Sequence, residues 1–385
     1  MKRLLLVGGG HAHLGVLQRL AREQPQDIEV TLVTPYERQL YSGMLPGWIA
    51  GHYERIDEFA VPLAPLAARA GARLRLARVE RIDLEARVAF DDRHGMHAFD
   101  VASIGIGPTT NLDAIPGALD HAVPLRPIEH FVETWQQQYL HMLAHQGETT
   151  RVSVIGGGAG GVELALAIAW RLRMMDGAVR VQIVAGSRLM PGIGERARAL
   201  ALEALQAARV RVVQHTAVRL EPHLISLEDG STLASDINLL ATGAAPEAWP
   251  RESGLACDPG GFIAVDECLR STSHPHVFAA GDCASLTRTP RPRSGVFAVR
   301  AGEPLARNLL AALRGQTPHA WRPQSRALYL LAEGPQRAIA SWGPFALEGA
   351  WLWRWKDRID HAFIGRHSPA RATPAPDAAA SRVES

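Results

Sequence analysis

A glycine-rich segment in the middle of the sequence has the residue spacing that binds the pyrophosphate of a dinucleotide. Gly156, Gly158 and Gly161 fit the pattern G-x-G-x-x-G in full, between an apolar run and a helical pattern. In such a turn the backbone N–H groups approach the phosphates at the positive end of a helix dipole. The sequence therefore predicts that these three glycines bind a nucleotide cofactor.

A second, less regular copy of this pattern stands near the N-terminus. Gly8 and Gly10 match the first two glycines, but His13 occupies the third position. Because the third glycine allows close packing of helix on strand, His13 implies a looser approach there. We interpret His13 as a helix-start residue without a chemical role. His11 lies in the same turn and is a candidate cofactor-binding residue.

The acidic residue that usually binds the ribose hydroxyls of NAD is missing from both copies. The second strand of the first copy ends at Thr34, a candidate cofactor contact, and that of the second copy ends at Ala185. An absent carboxylate weakens the case for NAD and leaves room for a 2′-phosphate beside Arg188, although a solvated surface arginine is an equal alternative. The sequence leaves NADH and NADPH both open.

Strands, turns and helices follow one another in the order that places these glycines at the ends of buried strands. Residues 4–7 and 30–33 are short apolar runs typical of buried parallel strands, with a helical pattern between them. The same order recurs in the middle of the chain, with strands at 151–155 and 181–184 and an apolar helix at 162–171. This alternation predicts an α/β fold with parallel sheets covered on both faces.

The composition indicates an ordinary globular protein and excludes several classes of function. With 47% hydrophobic residues, 21% charged residues and a net charge of +2, nothing favours nucleic acid as a partner. The 16 histidines are scattered and no H-E-x-x-H or G-x-S-x-G segment occurs, so neither a metal site nor a serine esterase is predicted. The basic residues are almost all arginine, with Lys2 and Lys356 as the exceptions, which we interpret as coding bias.

The apolar segments also bear on cellular location. The N-terminal apolar run is too short for a secretory signal. No stretch approaches the roughly 20 apolar residues of a membrane-spanning helix. These features predict a cytoplasmic protein, with room for peripheral contact with the inner face of a membrane.

Four motifs, taken in their order along the chain, resemble the two-dinucleotide-binding-domain flavoproteins, the pyridine nucleotide–disulfide oxidoreductase superfamily, over residues 3–325. They are the two glycine turns, the Ala-Thr-Gly-x-x-Pro segment that contains Gly243, and the late pair Gly281-Asp282. The resemblance implies that Asp282 binds the ribityl or phosphate portion of FAD and that Gly243 lies at the crossover between the domains. Gly107, in the turn after an apolar strand, is a further candidate contact for FAD.

The resemblance implies two nested Rossmann-like dinucleotide-binding domains and a small C-terminal α+β appendage. An FAD-binding domain would comprise residues 1–115 and 250–320, around an NAD(P)H-binding domain at 116–249. The appendage would cover residues 321–367. Residues 368–385, rich in Ser, Pro and Ala, are predicted to form a disordered tail.

The redox-active cysteine pair of that superfamily is absent. Cys257, Cys268 and Cys283 are the only cysteines, and none forms a C-x-x-C or C-x-x-x-x-C pair. Electrons should therefore leave the flavin directly, as in the type II NADH:quinone oxidoreductases that the chain resembles. The predicted activity is that of an FAD-dependent NAD(P)H dehydrogenase with a small-molecule acceptor such as a quinone. The stretch 295–302 lacks the two glutamines that such quinone reductases usually carry, so the acceptor stays open.

Two further segments, Tyr41–Gly47 and Trp353–Asp360, look like the NADH-dehydrogenase-like flavoprotein module that some chains carry ahead of selenophosphate synthetase. By that resemblance Tyr41 and Pro46 lie beside the isoalloxazine ring. Glu163 stands where relatives carry a glutamate between nicotinamide and flavin, so it would orient the nicotinamide or relay a proton. A helix-N-terminal carboxylate favoured by the dipole is the equal alternative for Glu163.

Two other functions remain open. Ala185 allows a flavoprotein that oxidises a sulfide-like donor without nicotinamide, although no cysteine lies where such enzymes place their catalytic pair. The resemblance to the selenophosphate synthetase fusion allows a low-turnover, flavin-binding accessory protein of selenium metabolism.

Residues 351–366 form a helical pattern rich in Trp and Arg. One face of the helical wheel is apolar and carries Trp351, Leu352, Trp355, Ile359, Ala362 and Phe363. Lys356 and Asp360 fall outside this face. The pattern predicts that the apolar face contacts a membrane surface, the body of the protein, or a second subunit of a homodimer.

Overall fold

The computed structural model of the protein describes residues 1–144, 149–174 and 179–368. Residues 369–385, which make up almost all of the predicted disordered tail, lie outside the described residues. The bounds of the regular elements follow in chain order.

In the first part of the chain the strands are β1 (Lys2–Val7), β2 (Ile28–Thr34), β3 (Arg38–Leu40), β4 (Ala60–Pro62), β5 (Ala72–Leu76), β6 (Val79–Asp83), β7 (Val88–Asp91), β8 (Met96–Ala98), β9 (Val101–Ile104), β10 (Thr109–Thr110) and β11 (Val123–Pro124). The helices there are α1 (His11–Glu23), α2 (Leu45–Ile49), α3 (Leu63–Arg69), α4 (Ala118–His121) and α5 (Ile128–Ala144).

In the middle part the strands are β12 (Thr150–Ile155), β13 (Val179–Val184), β14 (Arg211–Val213), β15 (Ala217–Glu221), β16 (Leu224–Leu227), β17 (Thr232–Ala234), β18 (Ile237–Leu240), β19 (Ala244–Ala245), β20 (Ile263–Val265), β21 (Val277–Ala279) and β22 (Ala284–Leu286). The helices are α6 (Ala159–Leu172), α7 (Glu195–Ala207), α8 (Trp249–Glu252) and α9 (Gly295–Leu313). The C-terminal part has β23 (Tyr329–Ala332), β24 (Ala338–Trp342), β25 (Phe345–Gly349) and α10 (Ala350–His367).

The first glycine turn belongs to a five-stranded sheet in the order β21-β9-β1-β2-β5, in which every pair is parallel. Leu4 to Val7 of β1 are almost fully buried, because a parallel sheet is covered on both faces. The edge strand β21 comes from a much later part of the chain than the other four. The chain therefore leaves this sheet after β9 and returns to it.

The second glycine turn belongs to another five-stranded parallel sheet, in the order β11-β18-β12-β13-β14. Strands β12 and β13 lie before and after the second glycine turn and α6. They pair in parallel, as β1 and β2 do around the first glycine turn and α1. Each half of the chain also has a separate three-stranded antiparallel sheet. It is β6-β7-β8 in the first half and β15-β16-β17 in the second. The predicted α/β fold with two parallel, Rossmann-like sheets is confirmed.

Helices α1 and α9 pack closely against each other beside the first sheet. Glycines make this close approach possible. A Cβ atom added to Gly15 of α1 would lie 2.9 Å from the Cα atom of Gly302 in α9. Side chains at either position would force the helices apart. The close crossing fixes the start of α9 relative to the first glycine turn at the start of α1.

The C-terminal appendage consists of the antiparallel sheet β23-β24-β25 and the helix α10. The predicted apolar face of this helix is only partly correct. Leu352 and Phe363 are buried, but Trp351, Trp355 and Ile359 are exposed. The buried face instead includes two polar residues, which the helical wheel placed elsewhere: Lys356 and Asp360. The physical reason is that this face of α10 borders a polar cleft rather than a dry core.

Candidate active site

A single large cleft of about 1250 Å³ lies at the carboxyl ends of the strands of both parallel sheets. This is where open α/β sheets bind their ligands. Every site residue predicted from the sequence lines it: Gly8, Gly10, His11, Thr34, Tyr41, Pro46, Gly107, Gly156, Gly158, Gly161, Glu163, Gly243, Gly281 and Asp282. The two glycine turns therefore face a common space.

The first glycine turn is held close to the strand end of β9. Gly8 has a φ of +89°, and a Cβ atom there would lie 2.7 Å from the carbonyl oxygen of Gly105. The amide of Gly10 donates to the same carbonyl at 3.0 Å. Only glycine tolerates both the positive φ and this approach. The first residues of α1, His11 and Ala12, then line the cleft.

His13 takes the position of the third glycine of the second copy, where no side chain would fit. A Cβ atom on Gly161 would overlap the carbonyl oxygen of Gly156. In the first copy the Nδ1 atom of His13 instead lies 2.6 Å from the carbonyl oxygen of Gly8, and its Nε2 atom lies 2.8 Å from Oγ of Ser103. Burial lowers the pKa of His13 to about 4, so the ring is neutral. His13 is therefore a structural residue that ties α1 to β1 and β9.

A half-buried arginine that the sequence reasoning missed lies in the cleft near Asp282. Arg126 lies two residues after the end of β11, and its partial burial lowers its pKa. Among the described residues no carboxylate forms an ion pair with its guanidinium, although the charge of Asp282 acts on it. Burial in turn raises the pKa of Asp282, against the charges of Arg126 and Arg293. A partly desolvated cation without a paired anion is unfavourable, so this site fits an anionic ligand such as the pyrophosphate of FAD.

His11 is a half-buried residue of the cleft with a side-chain nitrogen that lacks a partner. Its Nε2 atom is buried and accepts or donates no hydrogen bond among the described residues. Its ring centroid lies 5.5 Å from that of Tyr41 and 5.9 Å from that of Phe363. Burial, and then the charge of His367, lower its pKa to about 4. A neutral imidazole at the first residue of α1 is suited to a hydrogen bond with a bound cofactor.

Glu163 lies in the first turns of α6 and is half-buried at the wall of the cleft. Its Oε1 atom accepts a hydrogen bond of 2.8 Å from the backbone amide of Ala332 in β23. Burial raises its pKa to about 7, and the charge of Lys356 partly opposes this shift. The carboxyl group is therefore poised to gain or lose a proton near neutral pH, as a general acid or base must be.

Lys356 and Asp360 of α10 form a buried ion pair that reaches into the same cleft. The Nζ atom of Lys356 donates to Oδ2 of Asp360 at 2.6 Å and also to the carbonyl oxygen of Gly43. Asp360 accepts a further hydrogen bond from the hydroxyl of Tyr41, and burial and this carboxylate raise the pKa of Tyr41. Sequence reasoning missed this pair. The signal that could have found it is a lysine in a chain whose other basic residues, apart from Lys2, are arginines.

The cysteines lie outside this cleft and are not paired. Cys257, Cys268 and Cys283 are all free thiols. Burial raises the pKa of the Cys283 thiol to about 11, which leaves it unreactive. The described residues thus offer neither a disulfide next to the glycine turns nor the cysteine pair that a sulfide-oxidising flavoprotein would need.

The described ranges contain neither a cluster of metal-binding side chains nor a membrane-spanning helix. No group of three or more His, Cys, Asp or Glu side chains there could hold a metal ion. Of the helices formed by residues 1–144, 149–174 and 179–368, none is both long enough and apolar enough to cross a bilayer.

Comparison with known proteins relates this geometry to a family. The profile of the family described as "Pyridine nucleotide-disulphide oxidoreductase" matches residues 2–302. The NADH dehydrogenase-like protein YutJ of Bacillus subtilis is 24% identical over 296 residues, which are 75% of this chain and 79% of that protein. Demethylphylloquinone reductase NdbB of Synechocystis is 27% identical over 350 residues, which are 86% of this chain and 85% of that protein.

A solved structure shares the fold. The sulfide:quinone oxidoreductase of Aquifex aeolicus superposes with a TM-score of 0.80 at 17% identity, over 95% of this chain and 91% of that one. At this identity the likeness concerns the fold alone. The matched residues 2–302 contain both glycine turns, Glu163 and the Gly281-Asp282 pair. The chain belongs to the pyridine nucleotide-disulphide oxidoreductase family.

Proposed function

We propose that this protein, an FAD-dependent NAD(P)H dehydrogenase, reduces a quinone in the net reaction NAD(P)H + H⁺ + quinone → NAD(P)⁺ + quinol. The observation that carries the proposal is the single cleft that both glycine turns line together with Glu163, Lys356 and Asp360. When bound, FAD accepts the hydride and hands electrons on to the acceptor. Because the thiols lie elsewhere, no dithiol takes part.

The chain's own residues divide the cleft into two nucleotide sites. We assign FAD to residues 1–115 and 250–320, where the turn at Gly8–Gly10 would hold its pyrophosphate. The cation of Arg126, which belongs to the adjoining segment 116–249, would contact the same pyrophosphate from the other side of the cleft. Asp282 would accept hydrogen bonds from the ribityl hydroxyls, and the neutral ring of His11 would donate to the cofactor. NAD(P)H is assigned to residues 116–249, with its pyrophosphate on the turn that opens α6. Positioning of the two rings is the main contribution of the protein.

A quinone requires protons as well as electrons, and the cleft offers donors for both of its oxygens. The ammonium group of Lys356 has one N–H left after its bonds to Asp360 and Gly43, and it can donate this to an acceptor carbonyl. Glu163 can supply a proton near neutral pH. Ile359 and Phe363 of α10 add apolar surface beside them. The name of the relative NdbB, a demethylphylloquinone reductase, supports this acceptor class.

A lipophilic quinone reaches an enzyme most directly from a membrane, and the appendage has a surface that suits one. Trp351, Trp355 and Ile359 of α10 are 52%, 44% and 41% exposed, and Phe345 in the adjoining sheet is 66% exposed. Arg354 lies among them and can pair with lipid phosphates. Aromatic residues with arginines favour the bilayer interface. We therefore propose peripheral binding of this face to a membrane, and a homodimer through the same face is the alternative outcome of the test below.

The proposal is tested by following the two halves of the reaction separately. Purified protein saturated with FAD is mixed anaerobically with NADH or NADPH, and the flavin absorbance should bleach. The reduced protein is then mixed with a short-chain quinone, and the absorbance should return within a turnover time of about 1 ms to 1 s. Protein that binds no FAD, or flavin that neither nucleotide bleaches, contradicts the proposed dehydrogenase. Flavin that is bleached but not reoxidised by the quinone contradicts the acceptor alone.

A further inference from the structure

The ribose end of the second nucleotide site has no acidic side chain. Ala185 directly follows β13, at the place where a carboxylate usually binds the ribose hydroxyls of NAD. It is buried against the glycine turn, since a Cβ atom on Gly157 would lie 2.7 Å from the Cβ atom of Ala185. Gly186 then adopts a φ of +65° and leads the chain to Arg188. Ala185, Gly186 and Arg188 all line the cleft.

Arginines dominate the charge of this corner. Arg188 donates to Oε1 of Glu195, the first residue of α7, and Arg198 donates from Nε to Oε2 of the same carboxylate at 3.0 Å. Two guanidinium groups thus share one carboxylate, which leaves a net positive charge. The side chains of Arg188 and Glu195 are 53% and 64% exposed, so their ion pair is weak and Arg188 can turn to another anion.

The two other carboxylates near this corner, Glu228 and Asp229, interact with groups other than Arg188. Glu228 accepts a hydrogen bond of 2.9 Å from the backbone amide of Thr216, and Glu228 is not among the residues that line the cleft. Asp229 lies 3.5 Å from His215. The hydroxyl of Thr216 itself faces Gly186, 3.9 Å from where a Cβ atom of that glycine would be. The cleft side of the corner therefore presents a guanidinium and a hydroxyl, both hydrogen-bond donors.

We infer that this corner binds the 2′-phosphate of NADPH, and that the protein uses NADPH in preference to NADH. The inference rests on the proposed function, because it names the hydride donor of the same site. A guanidinium forms charge-assisted, bidentate hydrogen bonds with a phosphate group. The ribose hydroxyls of NADH find no carboxylate here to accept their hydrogen bonds. Each nucleotide thus meets a different set of contacts at Ala185 and Arg188.

The inference is tested with the FAD-loaded protein by two measurements on each variant. One is kcat/KM for NADPH and for NADH in flavin-mediated quinone reduction, and the other is calorimetric binding of 2′,5′-ADP and 5′-AMP. Arg188→Gln should weaken NADPH use and 2′,5′-ADP binding by roughly ten- to a hundredfold, with NADH unchanged. Arg188→Lys should recover part of the loss. Arg196→Gln, on an exposed neighbour in α7, is the matched control and should change neither.

A second variant adds the missing acid. Ala185→Asp should invert the preference, because its carboxylate repels the 2′-phosphate and accepts hydrogen bonds from the ribose of NADH. A wild-type protein that prefers NADH and binds 5′-AMP as tightly as 2′,5′-ADP overturns the inference while the dehydrogenase stands. If neither nucleotide bleaches the flavin, the proposed function fails, and the calorimetric difference between the two analogues still decides whether the corner binds a 2′-phosphate.

Discussion

The ammonium group of Lys356 donates a 2.6 Å hydrogen bond to Asp360 inside the cleft, while every other basic residue beyond Lys2 is an arginine. Arginine would preserve the charge but not the size or the chemistry of this contact. An ammonium is a compact point charge that reaches the carbonyl of Gly43 and Asp360 together, whereas a guanidinium is planar and effectively never gives up its proton. The composition bias thus makes Lys356 stand out as a position where a primary amine is needed.

The Lys356–Asp360 pair should matter both for folding and for the acceptor half of the reaction. Lys356→Met leaves a buried carboxylate without its cation and is expected to cost about 3–5 kcal/mol of unfolding free energy. The double variant Lys356→Met with Asp360→Leu should recover most of that loss. Urea unfolding measures both. If the single and double variants are equally destabilised, the loss does not come from leaving the Asp360 carboxylate without its cation, and the prediction is wrong.

Lys356→Arg keeps the charge and isolates the role of the amine in turnover. The rate of flavin reduction by NAD(P)H should stay within about twofold, and reoxidation by quinone should slow by roughly ten- to a hundredfold. The two half-reactions in a stopped-flow spectrometer separate these effects. A variant that slows flavin reduction instead would place Lys356 on the nicotinamide side.

Glu163 should impose a pH dependence of known sign on stability. Its folded pKa of about 7 lies above the unfolded value of 4.5, so the native state holds a proton that the unfolded state releases. Stability is therefore highest below pH 4.5 with respect to this group and falls as the pH rises to 7, by up to about 3 kcal/mol. Glu163→Gln lacks this loss. Urea unfolding at pH 5 and pH 8 should show a smaller decrease for the variant, and equal decreases would contradict a protonated Glu163.

The protonation of Glu163 should also affect the rate of turnover. If Glu163 donates a proton during quinone reduction, the reoxidation rate falls as the pH rises through about 7. Glu163→Gln should be slow at all pH values and show a flat profile. A variant that keeps the wild-type profile would assign the titration to another group.

Arg126 should have opposite effects on the empty and the FAD-bound protein. Arg126→Gln removes a half-buried, unpaired cation, so the apoprotein should gain stability. It also removes a phosphate contact, so FAD should bind roughly ten- to a hundredfold more weakly. Thermal unfolding with and without FAD and fluorescence titration of FAD measure the two effects. Arg55→Gln is the control, because Arg55 is exposed and does not line the cleft. Unchanged FAD affinity in Arg126→Gln would remove Arg126 from the cofactor site.

The exposed face of α10 should bind anionic lipid. Replacement of Trp351 and Trp355 by serine should weaken co-sedimentation with phosphatidylglycerol vesicles by at least about tenfold. Leu140→Ser, at an exposed apolar residue of α5, is the matched control. Size-exclusion chromatography of the same proteins tests the alternative. A wild-type dimer that becomes a monomer in the double variant, with no vesicle binding in either, contradicts the membrane proposal and supports a homodimer.

Local patterns made the fold and the glycine turns predictable from the sequence. The runs at β1 and β12 and the spacing of Gly156, Gly158 and Gly161 determine strand, turn and helix within short stretches of chain. The cleft that both glycine turns line was also predictable, because open α/β sheets bind their ligands at the carboxyl ends of their parallel strands. The individual roles of the predicted site residues remain predictions that the variants above test.

Contacts between distant parts of the chain were not predictable. The charges of Arg126 and Asp282 act on each other although more than a hundred residues of sequence separate them. No local pattern marks Arg126 as a residue of the cleft. The helical wheel of α10 assumed that buried means apolar, and it misplaced Lys356 and Asp360 because that face borders a cleft that holds polar groups. His13 was expected only to loosen the turn, and its hydrogen bond to Ser103 depends on β9.

An anaerobic titration of the flavin absorbance with the preferred nucleotide tests the central claim most directly. If the two glycine turns seat both cofactors in one cleft and no dithiol is present, one equivalent of NADPH should bleach one equivalent of FAD completely. A spectrum that does not change, or bleaching that needs two equivalents because another group also takes up electrons, would contradict the account.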